Sequence, residues 1–151
     1  MKKFVWFLLP FLLIGCATVG NKEVLPPEEV VVEKYEEAVE LLKNNQVVGM
    51  PTETVYGLAG NAYSEESVKR IFEAKGRPTD NPLIVHISEF SEIYDLVEVV
   101  PETAKKLAEK FWPGPFTMVL PKGDKIASSV SAGLGTVAVR FPSEKTICDI
   151  I

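Results

Sequence analysis

Lys75 and Arg77 flank Gly76 in a Lys-Gly-Arg-Pro run. A glycine in a left-handed turn throws both cations past the end of the preceding helix, while Pro78 stiffens the exit. Such a pair suits a polyphosphate. Lysine supplies a point charge, arginine a planar fork for two oxygens, and both stabilise developing negative charge without giving up a proton. Cations in the last turn of a helix also favour its dipole whatever the protein does, so both readings stand. Thr52 and Thr54, in Pro-Thr-Glu-Thr, put two hydroxyls at a strand end, suited to orienting a small polar substrate or to closing a turn. His86 closes an apolar run, as a packed core histidine or as a group facing a ligand. Asn81 precedes a proline and fits a turn, Thr117 follows Pro113-Gly114-Pro115 where the chain can approach a ligand closely, and Arg140 is placed to meet an anion or a surface carboxylate. No P-loop, GxGxxG or HExxH run occurs. With only Cys16, Cys148 and His86 to draw on, neither a zinc cluster nor a disulfide framework is expected.

These residues need strand ends and helix ends to bring them together, and the pattern supplies both. Tyr35, Ala38, Val39, Leu41 and Leu42 recur at helical spacing between Glu33 and Asn45. Gln46 to Met50 reads as a short strand running into the Pro-Thr-Glu-Thr segment. Ser64 is predicted to cap a helix through Ala74, with Glu65 and Glu66 in the first turn and Gly76 as its stop. Leu83 to Ile87 reads as a buried strand, Ser88 as the cap of a short helix to about Val97, and Pro101 as the start of another to Phe111 with Ala104, Leu107, Ala108 and Phe111 inward. Strands follow at Phe116 to Leu120 and at Thr136 to Arg140, the latter with Val137 and Val139 inward. Ser143 is expected to cap a last helix whose Ile147, Ile150 and Ile151 face the core. Helices alternating with short apolar strands predict an α/β domain with a mixed sheet. The sequence stops within that last helix, so the domain is expected to be incomplete at its C-terminal side.

At 151 residues, 46% hydrophobic and 25% charged, the chain has room for one packed domain and is neither disordered nor collagen-like. A net charge of −5 argues against a partner gripped through a broad basic surface. The acidity is concentrated early: residues 21–50 hold three lysines against seven glutamates, while residues 101–151 hold seven basic residues against five acids. Lys2 and Lys3 followed by an apolar run to Gly15 and then Cys16 resemble a bacterial lipoprotein signal, with Cys16 as the lipidated residue and membrane association as the consequence. The expected division is a signal-like segment at 1–16, a Pro- and Glu-containing tether at 17–32 and the folded domain at 33–151.

Pro51-Thr52-Glu53-Thr54-Val55-Tyr56-Gly57-Leu58, Lys75-Gly76-Arg77-Pro78 with Asn81-Pro82-Leu83, Trp112-Pro113-Gly114-Pro115 with Thr117, and Val137-Ala138-Val139-Arg140 with Pro142 together resemble the YrdC-like family, which includes the L-threonylcarbamoyl-AMP synthases. The resemblance implies a twisted mixed sheet flanked by helices. It also implies a reaction in which L-threonine, bicarbonate and ATP give threonylcarbamoyl-AMP and pyrophosphate, with Mg²⁺ on the triphosphate, for tRNA N6-threonylcarbamoyladenosine modification. A separate threonylcarbamoyl transferase complex then acts on the tRNA. By the same resemblance Lys75 and Arg77 are the catalytic phosphate-binding pair, Asn81, Thr117 and Arg140 belong with ATP, and Thr54, His86 and Ser131 with threonine. No residue is required as a general base, and His86 is the one candidate for that role.

Two departures from the family pattern arise. A Ser-x-Asn segment that completes the Lys-x-Arg signature is absent from residues 1–151, so a polypeptide of residues 33–151 alone is expected to be inactive. The lipoprotein-like start conflicts with the cytoplasmic setting that ATP and tRNA imply. The alternative is therefore a non-catalytic, lipid-anchored YrdC-like module that binds a nucleotide or RNA. Double-stranded RNA binding, also linked to the family, sits poorly with the acidic balance.

Overall fold

The computed structural model describes residues 35–151, so the lipoprotein-like segment with Cys16 and the tether at 17–32 lie outside the described residues. Among the described residues no helix is long and apolar enough to cross a membrane. The order is α1 (Tyr35–Lys43), β1 (Val48–Met50), β2 (Gly57–Ala59), α2 (Glu65–Lys75), β3 (Ile84–His86), a 3-10 turn (Phe90–Glu92) leading into α3 (Ile93–Leu96), α4 (Glu102–Phe111), β4 (Thr117–Pro121), a second 3-10 turn (Ser128–Ser131), β5 (Thr136–Arg140) and α5 (Lys145–Ile150).

Local chemistry explains α2 best. Ser64 is extended, and its hydroxyl accepts from Ser67 N at 3.3 Å, with Glu65 and Glu66 in the first turn. Gly76 closes the helix in the left-handed region at φ 55°, its N–H donating to Glu73 O at 3.2 Å. Val68, Ile71 and Phe72 turn inward, each such burial contributing about 1.5–3 kcal/mol. A Cβ on Gly60 would lie 2.6 Å from Ser67 Oγ and 3.1 Å from Ile71 Cδ1, so any other residue at the exit of β2 would have to displace these side-chain ends of α2.

The strands form two sets. β1 and β2 pair antiparallel, and β3, β5 and β4 form a mixed sheet in that order, β3 parallel and β4 antiparallel to β5. One face of the larger sheet, carrying Val85, Val139, Val137, Met118 and Leu120, packs against α2, α3 and α4 in the main core. A second core gathers Ala38, Val48, Met50, Ile147 and Ile150 from α1, β1 and α5. The expected α/β fold with a mixed sheet is present, and Val137 and Val139 are inward as predicted.

Several local expectations are corrected. The segment after β3 is held not by Ser88 as a cap but by the Glu92 carboxylate, which accepts from Ser88 N at 2.7 Å and Glu89 N at 3.0 Å. Likewise Glu144, not Ser143, caps α5 by accepting from Ile147 N at 3.0 Å. In both places a glutamate beside or beyond the serine has the longer reach. Phe111 is 43% exposed, because α4 buries Ala104 and Ala108 and leaves Phe111 stacking on Phe116 at the surface, ring centroids 5.1 Å apart. Ile151, the residue that follows α5, is 49% exposed.

Candidate functional site

Because α2 ends in the left-handed Gly76, Lys75 and Arg77 leave it side by side. Arg77 Nη2 donates to Pro82 O at 3.1 Å, which folds the Pro78–Pro82 turn back on the helix end, while Arg77 Nε is shielded from solvent and has no hydrogen-bond partner. Neither cation takes part in an ion pair among the described residues. Burial pushes the Lys75 ammonium below its ordinary pKa, and the neighbouring Arg77 charge pushes it the same way. Two cations that repel each other without a compensating acid make a site that gains electrostatic energy when an anion arrives.

The larger sheet supplies a second row. His86 and Thr117 both register with Arg140, so the three side chains lie on one face across β3, β5 and β4, opposite the buried face of Val85, Val139 and Met118. Thr117 is brought to the start of β4 by the Trp112–Pro115 loop, where Trp112 Nε1 donates to Phe116 O and Gly114 N donates to Phe141 O at 2.8 Å. The Arg140 guanidinium is paired with Glu53, and the two side chains are only 12% and 16% exposed. Burial by itself raises the Glu53 pKa, but the Arg140 hydrogen bond and charge, aided by backbone N–H groups, outweigh it and hold the carboxyl below its usual range. For His86, burial and then the Arg140 charge depress the imidazole, with the Ile84 backbone and Glu53 opposing, so it is neutral at neutral pH.

Depressed values carry a stability consequence. For both His86 and Glu53 the unfolded chain binds more protons, so their contribution is present above the ordinary values of 6.5 and 4.5 and is lost as pH falls through the folded ones. The thermal midpoint is therefore expected to drop on acidification in two stages, and His86→Gln should flatten the first. Parallel curves for the two proteins would contradict it.

Between the helix ends and the sheet lies a cleft of about 600 Å³. Thr52, Lys75, Arg77 and His86 are among its polar lining residues, together with Asn61 and the acids Glu92 and Asp95, and Met50, Val68, Ile71 and Ile84 are among its apolar walls. The Thr52 hydroxyl donates to Val55 O at 2.7 Å and lies 3.0 Å from Thr54 Oγ1, so the two threonines form one hydroxyl pair although Thr54 itself is outside the lining. Thr117 and Arg140 stand on the same sheet face as His86 but not on the lining, and Asn81 sits on the exposed turn after α2. Ser131 is not brought in: it is 1% exposed and its hydroxyl donates to Ser128 O at 3.1 Å within its own 3-10 turn. Glu53 is the residue that sequence reasoning missed. It stood within the quoted Pro-Thr-Glu-Thr run, but its partner lies 87 positions away. Among the described residues no three His, Cys, Asp or Glu side chains converge to hold a metal ion.

The comparisons with known proteins follow from this geometry. The family of the Sua5, YciO and YrdC proteins, described as "Telomere recombination", matches residues 40–151. Threonylcarbamoyl-AMP synthase of Pyrococcus abyssi is 50% identical over 114 residues, covering 76% of this chain and 34% of that protein. The synthase of the same name from Bacillus subtilis is 55% identical over 107 residues, covering 70% and 31%. The chain thus spans about a third of the length of these curated relatives. The solved structure of P. abyssi Sua5 complexed with L-threonine superposes with a TM-score of 0.76 at 49% identity, covering 78% of this chain and 34% of that one. E. coli YciO, at 20% identity and a TM-score of 0.68 over 77% of this chain and 56% of that one, shares the fold. Neither double-stranded RNA binding nor a lipid anchor gains support from these relatives.

Proposed function

The chain belongs to the Sua5, YciO and YrdC family, and from that premise we propose that it forms threonylcarbamoyl-AMP and pyrophosphate from L-threonine, bicarbonate and ATP, supplying the activated group for tRNA modification by a separate transferase. The observation that carries the reading is the Lys75–Arg77 pair, held in no ion pair among the described residues, on the lining of a cleft shared with Thr52 and His86.

In this reading the threonine amine and bicarbonate join as a carbamate with loss of water, and the Lys75 ammonium and the Arg77 guanidinium hold the triphosphate. They neutralise charge on its oxygens as a carbamate oxygen bonds to the α-phosphorus and the bond to the departing pyrophosphate breaks. Mg²⁺ would enter on the triphosphate, sharing with Lys75 and Arg77 the neutralisation of its oxygens. Thr117, Arg140 and Asn81 border the nucleotide, while Thr52, Thr54 and the neutral His86 orient threonine through its polar groups. Neutral His86 can donate or accept a hydrogen bond without adding charge to the cleft it shares with the two cations. ATP as substrate, and tRNA reached through the separate transferase, suit a reaction in the cytoplasm.

The test is pyrophosphate release from ATP by the polypeptide its gene encodes, with L-threonine and bicarbonate each omitted in turn. Release that depends on both supports the reading. Release indifferent to threonine, or none at all, overturns it.

A further inference from the structure

We propose that Glu53 is a positioning residue for this reaction: by pairing with Arg140 it fixes the guanidinium in the His86–Arg140–Thr117 row and withdraws its charge from the cations free to take the triphosphate, leaving that task to Lys75 and Arg77. The role in the reaction rests on the functional reading above.

Arg140 and Glu53 meet from β5 and from the loop between β1 and β2, with the Arg140 Nη2 to Glu53 Oε1 bond as their contact. Glu53 Oε2 and Arg140 Nε are both shielded and unpartnered, as is His86 Nε2 beside them. Breaking a pair so far from solvent leaves two uncompensated charges, so a buried pair of this kind resists being opened by an incoming ligand. Arg140 consequently meets a ligand as half of a neutral pair, whereas Lys75 and Arg77 meet it as open charges. A polyanion is sorted by that difference. Glu53 also stands between Thr52 and Thr54, so its attachment to β5 sets where the two hydroxyls lie relative to His86.

A plain loop tether predicts something different. The charged groups facing the imidazole are Arg140 from β5 and Glu53 from the β1–β2 loop, and β3 itself contributes the Ile84 backbone. If Glu53 acts through Arg140, Glu53→Gln leaves an uncompensated guanidinium beside His86 and moves its titration to lower pH. If Glu53 only ties the loop down, its loss admits water and moves the titration up toward the ordinary value of 6.5.

The experiment follows the His86 imidazole by NMR as a function of pH in the full, ligand-free chain, the signal being assigned by its absence in His86→Gln. Glu53→Gln should shift the titration down, Glu53→Asp should restore it toward wild type, and Arg140→Gln should shift it up. An upward or absent shift in Glu53→Gln overturns the proposal. Should Glu53→Gln fail to fold, an unmoved or lowered titration in Arg140→Gln overturns it equally. L-Threonine is added to the wild-type sample last. A signal indifferent to threonine counts against the functional reading alone, since the coupling through Glu53 is read without ligand.

Discussion

Replacing Lys75 and Arg77 together with alanine is expected to weaken ATP binding by about 10²–10⁴-fold, because each hydrogen bond to a charged group is worth about 1.5–3 kcal/mol and about 1.4 kcal/mol is tenfold. The ligand-free fold should not suffer in proportion. The two cations pair with no acid among the described residues, and burial and then the Arg77 charge depress the Lys75 pKa, so neutralising Lys75 relieves both, while Arg77 gives up only its Nη2 bond to Pro82 O in the turn after α2. Titration calorimetry with ATP and a thermal midpoint measured without it separate the two effects. Retention of wild-type affinity would remove the electrostatic basis of the proposed function. A large fall in the ligand-free midpoint would instead assign the pair to holding the helix end.

Ile87→Ala is the substitution expected to cost the fold most near the site. Ile87 is 2% exposed in the main core, at the exit of the strand that carries His86. Its backbone N–H donates to Arg140 O at 3.0 Å and survives the change, so the loss is one of packing. Removing such a buried side chain costs about 2–5 kcal/mol, a large part of the roughly 5–15 kcal/mol that holds a small domain together. Urea unfolding of the full chain should show a lowered midpoint at an unchanged slope. Val119→Ala serves as the contrast, since Val119 is 65% exposed and its truncation should stay within about 0.5 kcal/mol. A loss below about 1 kcal/mol for Ile87→Ala would mean that the core collapses around the smaller side chain.

The elements closest to the expectation are those whose cause lies within a few residues. Ser64, Glu65 and Glu66 start α2 and Gly76 ends it, all by contacts inside one turn. The two serines that failed as caps show the limit of such signals. Ser88 and Ser143 each stand close to a glutamate whose longer side chain also reaches backbone N–H groups, and it is the glutamate that accepts from them. Composition is similarly blind to Phe111 and Ile151, because a helical period marks a face but not how wide a stripe the neighbouring elements cover.

By itself the sequence determined the two cations on either side of a left-handed glycine, the hydroxyls after the first strand, the alternation that turns Val137 and Val139 inward, and the resemblance those blocks carry together. Tertiary structure alone decided that Arg140 belongs to Glu53, that His86, Arg140 and Thr117 share one row, that the Ser131 hydroxyl is spent within its own 3-10 turn, and that Lys75, Arg77, Thr52 and His86 line one cleft. The division has one physical origin. Caps, turns and strand alternation are set by interactions between near neighbours in the chain, whereas a partner 87 positions away is chosen by strand register and by the exclusion of water, which act only once the sheet has formed.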